Sequence, residues 1–283
     1  MTRKFLQIVL TLVVAASSMI AGAQSAFACE VTRPPLNPNT SQPTNALSGQ
    51  TVYWQRYSTP VHLDGNGNLD FSGIKASILN VGVVVGEHYD TNQTLRPNQS
   101  TTAYITLTNT QGGFVNFGWR QDYAGNRNIF WNGQDDEGVG FHYNANTAAD
   151  AVGTFTTFQI SFNPGTSVVT LYLNGDTTNP KMSRTIGFVP RFARAVTQVE
   201  GYASQMPGER NKNEQFTNVN MWWPNKTSTN GGGWKDFNGV VDPDVWVEGV
   251  KASGATSPNY LPGVEAFSTS NSFNVWDNLC IDS

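Results

Sequence analysis

From residue 51 to residue 281 the chain offers one short run of alternating apolar and polar residues after another, and no useful stretch with the 3.6-residue period of a helix. "TVYWQRY" (51–57), "STTAYITLTN" (100–109), "GFVNFGWRQ" (113–121), "RNIFWNG" (127–133), "VGFHYN" (139–144), "TFTTFQISFN" (154–163) and "SVVTLYLNGD" (167–176) lead the series. "AVTQVEGYAS" (195–204), "FTNVNMWW" (216–223), "DVWVEGV" (245–251) and "SFNVWDNLCI" (272–281) continue it, and "NLDFSGIKASILNVGVVVG" (68–86) has room for two strands. The one helical candidate, "PRFARAVTQ" near 190, also reads as the entry to a strand. A period of two buries one face of each strand, and about twelve such strands need two sheets to cover each other. The expected fold is all-β, a two-sheet antiparallel sandwich of jelly-roll type. Asn174-Gly175 predicts a tight hairpin turn, and "NTQGG" (109–113) joins two strands able to pair.

The first 28 residues read as a secretory signal peptide: Arg3 and Lys4, then the apolar "FLQIVLTLVVA", then "AFA" before the cut. Phe27 fits a lipid-attachment site at Cys29 badly, so release from the membrane is expected. Residues 29–50, rich in proline, form an extended lead-in, and residues 51–283 a single sandwich domain. No other run approaches the ~18 apolar residues of a membrane span. Losing the leader removes two basic residues and no acidic ones, so the net charge moves from −4 to −6. Without basic clusters, nucleic acid and anionic membrane are poor partners. The expected partner is an extracellular polymer, polypeptide or polysaccharide.

Cys29 and Cys280 are the only cysteines. In an oxidising compartment they are expected to pair and join the chain ends, which chain-entropy models value at roughly 5 kcal/mol as an upper figure.

No metal or cofactor is expected. His62, His88 and His142 are isolated and lack ligand spacing. "DGNGNLD" (Asp64 to Asp70) has the oxygens of a calcium loop, but Leu69 stands where glycine is required and Lys75 where glutamate is, so a turn is the better reading. "QDDEG" (134–138) reads as a solvated loop. No G-x-S-x-G occurs.

Two strands carry the chemistry that remains. In "GFVNFGWRQ" the apolar face is Val115, Phe117 and Trp119, and the other face holds Asn116, Gly118 and Arg120. In "AVTQVEGYAS" one face carries Gln198, Glu200 and Tyr202, and "QMPGERNKNEQF" follows as a turn into another strand. A strand glutamate beside an amide and a phenol supplies a base and hydrogen-bond donors. An asparagine on a strand also serves simply to satisfy a buried backbone group, and a strand glutamate to face solvent.

The order "SGIKASI", "AYITLTN…FVNFGW", "FQISFN…VVTLYLNG", "VTQVEGYASQMPG" resembles the secreted glutamic peptidases of the eqolisin and neprosin kinds, sandwiches related to concanavalin A-like lectins and glucanases. It covers about residues 70 to 220. The resemblance implies a dyad of Glu200 as general base and Asn116 in the place of the family's Gln or Glu, acting as oxyanion donor. Asparagine departs from both family patterns and is one methylene short of glutamine. Arg120, Gln198 and Tyr202 would then contact substrate. The alternative is sugar recognition, with exposed tryptophans such as Trp222 or Trp223 presenting flat faces. A glycosidase needs a second carboxyl, for which Asp122, Asp135 and Glu137 are the nearest candidates.

Overall fold

The alternation is realised as strands. The computed structural model describes residues 51–57, 72–83, 85, 100–200, 215–223, 233–236, 244–247, 250–251, 262–266 and 271–277, and among these there is no helix. The strands are β1 (Thr51–Tyr57), β2 (Gly73–Leu79), β3 (Ser100–Thr108), β4 (Phe114–Asp122), β5 (Arg127–Gln134), β6 (Gly140–Ala148), β7 (Phe155–Asn163) and β8 (Val168–Leu173). After them come β9 (Met182–Thr185), β10 (Phe192–Glu200), β11 (Phe216–Trp223), β12 (Gly233–Asp236), β13 (Asp244–Val247), β14 (Val250–Lys251), β15 (Pro262–Ala266) and β16 (Phe273–Asp277).

They form two antiparallel sheets. The first runs β14-β13-β1-β10-β3-β4-β5-β6, the second β15-β16-β11-β2-β7-β8-β9, with β12 paired to the end of β11. The chain changes sheet between β1 and β2, β2 and β3, β6 and β7, β9 and β10, β10 and β11, β12 and β13, and β14 and β15, so groups of strands alternate between layers. This is the expected two-sheet sandwich.

The inner faces meet in one apolar cluster. Ala103, Ile105, Leu107, Val115, Phe117, Trp119 and Ile129 come from the first sheet, and Ile74, Ile78, Phe158, Ile160, Leu171, Phe216 and Val275 from the second, all buried. Phe117 and Phe158 meet edge-to-face across the gap at 5.0 Å, a geometry that adds to simple burial. At one margin Arg127 ties the segment after β2 to the first sheet: it donates to the Val81 carbonyl and to Gln121 Oε1, and lies 4.7 Å over the Trp119 ring. Burial pushes its guanidinium down to about 10, so it stays cationic at neutral pH. Gln121 in turn donates to the Val83 carbonyl.

Two local expectations are refined. Asn174 and Gly175 both adopt positive φ, and Asp176 N–H bonds back to the Leu173 carbonyl, as a primed turn requires. The return strand, however, starts pairing only at Met182 with Leu171. Between them the Asp176 carboxylate accepts hydrogen bonds from Thr178 and Asn179, so residues 176–181 form a folded loop. The "PRFARAVTQ" segment is strand from Phe192 onward. β9, β12 and β15 carry no clear signal in the sequence: Met182-Ser-Arg-Thr185 is mostly exposed, and Pro262 opens β15.

The predicted leader and lead-in, both cysteines, His62, His88, Asp64 to Asp70 and Tyr202 lie outside the described residues.

Phe158→Ala removes the ring that bridges the sheets and is expected to cost about 3–5 kcal/mol in urea unfolding. The hydrogen bonds from Thr178 and Asn179 hold the Asp176 carboxyl down at about 2. A depressed folded pKa stabilises fully above the unfolded value near ~4 and is lost as pH falls through the folded one. The difference in melting temperature between wild type and Asp176→Asn should therefore be constant above pH ~4 and shrink toward pH ~2.

Candidate functional site

With the inner faces committed to packing, the outer face of the first sheet carries the polar strand residues. Its registers are continuous across β10, β3, β4 and β5. One row is Gln198, Thr102, Arg120 and Asn128; the next is Val196, Tyr104, Gly118 and Phe130; the third is Arg194, Thr106, Asn116 and Asn132.

β3 is the floor of this face. Its outward residues are as hidden as its inward ones: Ser100, Thr102, Tyr104 and Thr106 are all buried. At the centre Tyr104, Phe130 and Val196 form a small apolar cluster, with Tyr104 and Phe130 edge-to-face at 5.8 Å. Gly118 makes this possible. A Cβ there would run into the Ala103 carbonyl and the Cα and Cβ of Tyr104, so only glycine lets β4 approach β3 this closely at Tyr104. The glycine of "VNFGW" thus admits the close approach of the neighbouring strand at Tyr104.

The phenol of Tyr104 donates to Gln198 Oε1 at 2.8 Å. That bond fixes which end of the Gln198 amide faces the aromatic centre, and it couples the central row to the row of Gln198 and Arg120. Tyr104 escaped the sequence reading. Its signal was present: in "TAYITLT" it shares an alternation with Thr102 and Thr106, opposite Ala103, Ile105 and Leu107.

The two proposed catalytic positions do not meet. Glu200 is registered with Ser100, and Ser100 with Asp122, whereas Asn116 is registered with Thr106 and Arg194. Positions 116 and 200 share an alternation, but six residues of strand separate them, roughly 20 Å at the strand rise. One water cannot bridge that distance. The other reading of Asn116 also fails: it is half-buried, and among the described residues the side chains of Asn116 and its cross-strand partner Asn132 make no hydrogen bond. Its amide satisfies no backbone group.

What stands next to position 200 is Gln198, two residues earlier on the same alternation of β10. Arg120 lies in the Gln198 row, one strand beyond Thr102. Gln198 and Arg120 are therefore brought together with the Glu200 end of the sheet, and Asn116 is left at the other end.

Two of the three carboxyls proposed as glycosidase partners, Asp122 and Asp135, have other work. Asp122 falls in the row of Glu200, but its oxygens accept from the backbone and side chain of Asn126 and hold the β4–β5 turn. Asp135 accepts from the backbone of Glu137 and Val139 and holds the β5–β6 turn. Among the described residues no three His, Cys, Asp or Glu side chains gather as a metal site requires. His142 is in β6, opposite Asn132.

No protein-family model matches the chain, and no curated protein matches it. Among solved structures it is similar to scytalidoglutamic peptidase with a transition-state analogue inhibitor, at 10% identity and a TM-score of 0.44, over 79% of this chain and 98% of that one. It is also similar to a Bacillus licheniformis β-glucanase, at 11% identity and a TM-score of 0.35, over 60% and 74% of the two chains. A homodimeric agglutinin from chicken liver matches at 13% identity and a TM-score of 0.27, over 56% and 96%. Identities and TM-scores this low carry no chemistry over, and it has to be read from this chain's own residues.

Proposed function

We propose that the protein is an exported hydrolase of the glutamic type, acting on an extended polypeptide laid across the outer face of the first sheet, with Glu200 as base and Gln198 as its amide partner. The observation that carries this reading is the 2.8 Å hydrogen bond from Tyr104 to Gln198 Oε1. It holds a glutamine side chain two residues from the glutamate, on the alternation the glutamate shares. The resemblance seen in the sequence is the ground for the class of reaction, and the shared alternation on β10 supports the pairing.

In this scheme Glu200 takes a proton from a water as its oxygen attacks the scissile carbonyl carbon. The Gln198 amide donates an N–H to the oxyanion as the carbonyl bond opens. Glu200 then passes the proton to the leaving nitrogen as the C–N bond breaks. Arg120, in the Gln198 row and two strands away, binds a substrate carbonyl or carboxylate. The glutamine reaches one methylene further than the asparagine first considered, which restores the length of the family's amide.

Cleavage of a denatured protein substrate at acid pH tests the scheme. Glu200→Gln is expected to lower kcat/KM by at least ~100-fold. Gln198→Ala should cost roughly 100- to 1000-fold in kcat, the range for one oxyanion donor. Asn116→Ala should leave the rate unchanged, which separates the two amide assignments. Full activity in Glu200→Gln would end the proposal.

A further inference from the structure

The opposite side of the sandwich carries a second feature that the hydrolase scheme does not use. On the outer face of the second sheet, Trp222 of β11 and Trp234 of β12 are cross-strand partners with rings edge-to-face at 5.4 Å. Lys75 of β2 places its ammonium 4.6 Å over the Trp234 ring. From Lys75 the register runs outward in a straight row: Asn220 on one side, Gln159 and then Tyr172 on the other. Four strands wide, the row spans roughly 14 Å, broader than one sugar ring.

A break in β11 puts Trp222 there. Phe216, Val219 and Met221 are all buried in the core, which strict alternation forbids, since 216 and 219 have opposite parity. The register shifts between Thr217 and Asn220, and Asn218 adopts a φ of 50°, a conformation costly for a residue with a side chain. Without that extra residue Trp222 would share the side of Phe216 and enter the core. With it, Trp222 is turned outward and meets Trp234.

Hydrogen-bonding capacity remains open along the row. Gln159 uses its Nε2 on Ser161, and Asn220 its Nδ2 on the Asn218 carbonyl. Among the described residues nothing engages Gln159 Oε1, Asn220 Oδ1 or the Tyr172 hydroxyl, and Lys75 has no acidic partner. Indole faces beside unfilled acceptors and donors match a pyranose, whose C–H face packs on a ring while its rim of hydroxyls gives and takes hydrogen bonds.

We infer that the Trp222–Trp234 face binds a neutral polysaccharide chain through Trp234, Lys75, Gln159 and Tyr172, independently of the Gln198–Glu200 face. A peptide strand fits poorly. β2, β7 and β8 have both edges paired within the sheet, so no backbone groups are open for strand addition. An anionic polymer fits poorly as well, because the chain is net negative and the row holds one cation.

Native gel electrophoresis of the full chain, through gels cast with hydroxyethylcellulose, laminarin, xylan or galactomannan, tests the inference. At least one of these is expected to retard the wild type. Trp234→Ala should raise the apparent Kd at least ten-fold, Trp234→Phe should be intermediate, and Tyr172→Phe, which removes a single hydroxyl, should weaken retardation several-fold. Glu200→Gln should migrate as wild type, and Trp234→Ala should keep any peptidase activity, so each face fails or survives alone. Free migration of the wild type in all four gels, or unchanged retardation of both Trp234→Ala and Tyr172→Phe, would overturn it.

Discussion

Two apolar faces that cannot be left in water set the terms for everything else in this protein. The inner residues of β3, β4 and β10 must lie against those of β2, β7 and β11, and the Phe117–Phe158 contact marks where they meet. Because side chains alternate strictly along a strand, committing Val115, Phe117 and Trp119 inward forces Asn116, Gly118 and Arg120 outward. Each outer surface is therefore assembled from residues that the core rejects. The break in alternation at Asn218 moves a tryptophan from the inside to the outside.

The face around Tyr104 shows how such leftovers become organised. A tyrosine on a polar alternation has no place in the core, yet it is buried, packed with Phe130 and Val196 beside the close strand approach that glycine at 118 allows. Its hydroxyl then needs a partner, and Gln198 provides one. Ordering an amide in this way lowers the cost of having it donate to a substrate later, since its orientation is already set. The opposite face is built differently, from aromatic rings and open acceptors on a flat sheet, and suits a ligand that is held by its surface.

Strand positions from β1 to β8 were readable as period two, and so was the inward or outward assignment of nearly every residue in β3, β4 and β7. The turn at Asn174-Gly175 was readable from its dipeptide, although Asp176 delays the return strand by capping the loop that follows. Short edge strands such as β9 were not, because exposed on one side and four residues long they need neither apolar pattern nor branched side chains. At the site, Glu200, Gln198 and Arg120 were picked from their alternation. Asn116 was paired with Glu200 because the order of motifs along the chain says which strands take part, but nothing about how far one has slid past the other.

That division has a physical cause. The sequence by itself determined an all-β sandwich, the side of each strand that faces inward, and the small set of outward polar residues available for chemistry, since all three follow from local alternation. Only the tertiary structure decided the register, and with it that Asn116 lies far from Glu200, that Tyr104 bonds to Gln198, and that Trp222 joins Trp234. Register is fixed by the summed fit of core side chains and turns over whole strands, and no single residue carries it.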